Sequence, residues 1–104
     1  VVFHPGYGAD LRGVLDGRRG ERILSYLLEE GALAPEDVLV PRELTMRDAL
    51  LVHTDEYLES LDQPETLARM FPNVDSASPP AVLFRAARLA AGGTVLAAEW
   101  ALKH

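Results

Sequence analysis

In the C-terminal quarter of the chain, apolar and small residues recur with a helical step. Val82, Ala86, Leu89, Gly93, Leu96 and Trp100 are spaced by four, three, four, three and four. Such a series lies on one face of an α-helix, predicted here from Ser78 to Lys103. Ser78 followed by Pro79 supplies a capping hydroxyl and then a proline at the first helical position. Leu83, Phe84 and Val95 fall off the stripe, so this helix expects neighbours on more than one side. Gly92 and Gly93 lie in its interior, where each costs about 1 kcal/mol relative to alanine. With Ala90, Ala91, Ala97 and Ala98 they narrow the helix, so that another backbone can approach closely.

Shorter helices are predicted upstream. Ile23, Leu24, Leu27 and Leu28 give an apolar stripe to a helix over Arg18–Glu30. Asp16 is placed to begin it and Gly31 to end it. Glu29 and Glu30 sit at the unfavourable end of its dipole. Thr45 with Asp48 is a capping-box pattern opening a short helix that carries Met46, Ala49, Leu50 and Val52. Thr54 caps the next, whose face is Tyr57, Leu58 and Leu61. Leu67, Met70 and Phe71 make a weaker helical patch after Pro64.

Two runs read as strands. Val1–Phe3 is closed by Pro5 and Gly6, and Val38–Val40 is ended by Pro41. Strand, helix, strand within the first forty residues predicts a parallel βαβ unit. Gly6, Gly8, Gly13 and Gly17 punctuate a loop after the first strand, and Pro72–Pro80 is a second loop. The fold class expected is therefore α/β. Two short strands do not make a stable sheet, and parallel strands need both faces covered. Residues 1–104 are accordingly expected to be the N-terminal segment of a larger single domain, incomplete by itself.

Composition narrows the chemistry. The formal net charge is −6, from 10 Lys plus Arg against 16 Asp plus Glu. That lacks the basic footprint of non-specific nucleic-acid binding. Arg18, Arg19 and Arg22 form a small basic cluster, ordinarily solvated surface and sometimes an anion site. Without cysteine there is no disulfide, thiolate metal site or thiol nucleophile. No uninterrupted apolar run approaches the roughly 18 residues of a membrane span. The first residues lack the basic and apolar regions of a signal peptide, so a soluble cytoplasmic protein is expected.

His4, His53 and His104 stand apart from one another, without metal-ligand spacing. His53 and Asp55 are two apart, which better suits a helix-boundary histidine than a site. There is no phosphate-cradling loop, nucleophile elbow or dinucleotide fingerprint. Gly92-Gly93-Thr94 belongs to the interior of a helix.

Four segments, in order, resemble the N-terminal third of the histone deacetylase and acetoin-utilisation family, which has the arginase/deacetylase fold. They are Val1-Val2-Phe3-His4-Pro5, Arg19-Gly20-Glu21-Arg22-Ile23, Val52-His53-Thr54-Asp55-Glu56-Tyr57-Leu58 and Ala91-Gly92-Gly93-Thr94-Val95-Leu96-Ala97-Ala98. The run from Pro79 to Thr94 is closest in flavour to the class IV branch. Asp16-Gly17-Arg18 departs from the family's His-Pro pair and following acidic residue.

The resemblance implies a three-layer α/β/α fold with a parallel sheet. It also implies zinc-dependent hydrolysis of acetyl-lysine or a related acyl amide by the complete enzyme. Zinc polarises the carbonyl and lowers the pKa of its bound water. The family's zinc ligands and proton-transfer histidines follow the long helix, so no catalytic or metal-binding residue, and no zinc, is assigned to this chain alone. Arg19 is implied to be the channel arginine that meets the carboxylate product, and Asp75 a substrate-holding aspartate at the rim. The expected partners are an acylated amine in the complete enzyme, and a missing C-terminal portion or a second copy for this chain. The alternative is a non-catalytic, partner-binding protein retaining the N-terminal half of the fold. A free-standing small α/β domain is a third reading, and the coding sequence following His104 discriminates among them.

Overall fold

The computed structural model of the chain describes residues 1–8, 17–70, 72 and 80–104. Its architecture is helical. α1 spans Arg19–Glu29, α2 Met46–Ala49, α3 Asp55–Ser60, α4 Pro64–Met70 and α5 Pro80–Lys103, with single 3-10 turns at Pro5–Gly8 and Pro35–Asp37.

The α/β expectation is overturned. Among the described residues the two predicted strands form no sheet and meet in a single parallel bridge, Val2 to Leu39. Phe3 N–H donates to the Leu39 carbonyl at 2.9 Å, and Leu39 N–H to the Val1 carbonyl at 2.7 Å. Each run is three residues long and is stopped by proline, at Pro5 and at Pro41. A pairing so short has neither ladder nor covered faces, which parallel sheets require. The three-layer α/β/α arginase/deacetylase arrangement is therefore not the fold of the described chain.

The helices have local causes. Thr54 Oγ1 accepts from Tyr57 N–H at 3.2 Å, and Thr45 Oγ1 from Asp48 N–H at 3.1 Å. Each threonine satisfies a first-turn amide that the helix leaves unpaired. Asp55 and Glu56 stand in the first turn of α3, where the helix dipole favours negative charge. α1 ends through Gly31, whose φ is +73°. Gly31 N–H reaches the Leu28 carbonyl at 3.2 Å and Ala32 N–H the Leu27 carbonyl at 2.9 Å, a paired closure of the last turn. The start of α1 at Asp16, the loop glycine Gly13, and the expected helix start at Ser78 and Pro79 lie outside the described residues, as does Phe71.

α5 organises the rest. It has 24 residues, about 36 Å of helix. Its buried face is Leu89, Gly92 and Gly93. A β-carbon on Gly92 would meet the backbone of Arg42 to Leu44, while one on Gly93 would meet the Tyr7 hydroxyl. The close backbone approach expected of both glycines thus holds at Gly92. At Gly93 the neighbour is an aromatic side chain. Leu44 N–H donates to the Arg88 carbonyl at 3.0 Å, and Arg88 Nε returns a hydrogen bond to the Leu44 carbonyl at 2.8 Å. Glu43 pairs with Arg85 and lies 3.5 Å from Arg88. Extended chain is thereby strapped across α5 where the missing side chain leaves room.

A cluster of Ala49, Leu58, Leu61 and Leu67, with Leu44, Leu83 and Phe84 against it, joins α2, α3 and α4 to α5. The molecule is flat, 44 × 31 × 14 Å. The shortest Cα extent, 14 Å, has room for about two layers of helices, whose axes pack about 8–10 Å apart.

Candidate functional site

An apolar cleft of about 240 Å³ lies between α2–α4 and α5. Ala49, Leu58, Leu61 and Leu67 form one wall, and Leu83, Phe84 and Ala87 the other. The wall from α3 and α4 exists because Thr54 and Pro64 start two short helices whose apolar positions then fall on one side. Polar groups enter only at the edge. His53 lies against Tyr57, ring centroids 4.8 Å apart. Arg88 stands 5.7 Å from the centre of the Phe84 ring, a distance at which a cation is attracted to the aromatic face. Its hydrogen bond to Leu44 and its proximity to Glu43 already engage its guanidinium. The cleft can bury apolar surface.

A second site of close packing surrounds Tyr7. Its ring meets Phe3 edge-on at 5.8 Å, and the Pro5–Gly8 turn touches both α1 and α5. Burial pushes the Tyr7 hydroxyl above its usual titration range. His4 Nδ1 accepts from Gly6 N–H at 2.8 Å, a turn-stabilising role. His104 stacks on Trp100 at 4.0 Å, at the far end of α5. The three histidines therefore occupy three separate places.

Arg19 is the first residue of α1 and is exposed to solvent. Asp75 lies outside the described residues. In the neighbouring basic cluster, Arg18 Nε pairs with Glu21 at 3.2 Å, an exposed contact one turn apart on α1. Among the described residues no group of three His, Asp or Glu side chains is placed to hold a metal ion.

The motifs behind the family resemblance have structural work to do. In Val52–Leu58, Thr54 caps α3, Asp55 and Glu56 complement its dipole, and Leu58 is a core residue. In Ala91–Ala98, Gly92 and Gly93 admit the strap and Tyr7. Sequence reasoning missed the residues that bind the strap, Glu43 and Arg88. Glu43 is 42 residues from Arg85, and Leu44 is 44 from Arg88, so no local spacing could reveal either contact.

Fold and cleft together define a helical chain with an apolar cleft between α2–α4 and α5. Comparison with known proteins adds a likeness in sequence. The chain is 28% identical over 114 residues to histone deacetylase 2 of Arabidopsis thaliana, covering 100% of this chain and 30% of that protein. It is 32% identical over 104 residues to a probable deacetylase of Archaeoglobus fulgidus, covering 95% of this chain and 28% of that protein. The chain thus spans less than a third of the length of these curated relatives. No protein-family profile matches it, and no solved structure does. This likeness in sequence accompanies a helical fold without a sheet among the described residues. The expectations of a zinc-dependent deacylase, of a hydrolase, and of a non-catalytic protein keeping half of that fold are overturned together, because each required the α/β framework.

Proposed function

We propose that this chain is a helical docking segment, which packs its apolar faces against further polypeptide and against a second copy when alone. The observation that carries this reading is the imbalance between core and surface. The buried apolar side chains among the described residues are Ala49, Leu58, Leu61, Leu67 and Leu89. Against them, Leu51 is 82% exposed, Val52 80% and Leu102 89%, and Val95, Trp100, Ile23, Tyr26 and Val40 are exposed as well. Single exposed apolar residues are ordinary; this many beside so small a core support the docking reading. Burial is worth roughly 25 cal/mol per Å² of apolar surface, so association is the direct route to added stability.

α5 bears on this reading in a second way. Ala81–Lys103 is long and apolar enough, by length and composition, to cross a membrane. Its Leu89, Gly92 and Gly93 face is instead occupied by the chain's own backbone and by Tyr7. Arg85 and Arg88 on the same helix pair with Glu43. These contacts favour packing against polypeptide.

The test is the fluorescence of an environment-sensitive apolar dye as the protein is concentrated. The expected result is strong dye binding at low concentration that declines per chain as docking covers the surface. Negligible dye binding at every concentration would remove the basis of the proposal.

A further inference from the structure

We draw no further inference here: the strongest candidate, the apolar cleft between α2–α4 and α5 edged by His53, Tyr57 and Arg88, is an unpartnered apolar surface, and nothing in the structure shows what covers it.

Discussion

Gly92 and Gly93 are neighbours in sequence, yet the structure assigns them different costs of substitution. A methyl group at Gly92 would run into the Arg42 carbonyl and crowd Leu44 N–H, both of them backbone. The strap would have to lift, weakening the paired hydrogen bonds between Leu44 and Arg88. Gly92→Ala should therefore lower stability by about 1–3 kcal/mol, as overpacking does, despite a gain of about 1 kcal/mol in helix propensity. At Gly93 the obstacle is the end of the Tyr7 side chain, which can rotate away. Gly93→Ala should cost less than Gly92→Ala when both are compared by urea midpoint. A rise in midpoint for Gly92→Ala, as expected of an exposed helical glycine, would contradict the strap.

Tyr7 supplies a pH dependence. Its hydroxyl titrates above the ordinary value of 10.0 because burial disfavours the phenolate. The unfolded chain therefore releases this proton at lower pH than the folded one. The stability contributed is fully present below the unfolded value and is lost as pH rises through the raised folded value. Wild type should thus lose stability more steeply above pH 10 than Tyr7→Phe does, read as thermal midpoint against pH. Parallel curves would show that Tyr7 is solvated.

At the scale of elements, helices were legible in the sequence because their signals are local. Thr45, Thr54 and Gly31 each act within four residues of themselves, and each is found in the predicted role. Gly31→Ala isolates one such signal. Nothing lies within 4 Å of the added carbon, so its cost is that of the positive φ alone. A non-glycine residue in this region costs roughly 1–2 kcal/mol, expected as a matching loss of stability with α1 fraying at its C-terminal end. Thr54→Ala should cost about 0.5–2 kcal/mol through the lost cap. An unchanged midpoint for either variant would mean that its helix end contributes nothing to folding.

The strands were misread for the converse reason. Val1–Phe3 and Val38–Val40 have the composition of strands, but a strand is made by its neighbours. The two runs have each other at one bridge and no third partner among the described residues. Composition records a preference for extended backbone; it does not record whether a sheet exists to satisfy it. The cleft was half legible. Leu58, Leu61 and Leu67 were assigned to helix faces, whereas their meeting with Phe84 depends on contacts made far apart in the chain.

At the scale of the whole molecule, a shortest Cα extent of 14 Å limits how much can be buried. Leu89 is the one large side chain among the described residues to be almost wholly enclosed. Trp100 was expected on the packed stripe of α5 and is half exposed, since the strap and Tyr7 cover only the middle of that helix. Left open on the C-terminal part of α5 are Val95, Trp100 and Leu102, with Leu50–Val52 exposed elsewhere. The proposed docking uses these residues, and sedimentation equilibrium reads it out. The mass should rise above the 11.4 kDa of one chain with increasing concentration, and return toward it when Val95 and Trp100 are both replaced by serine. A constant mass of 11.4 kDa at all concentrations, with cooperative unfolding, would contradict it.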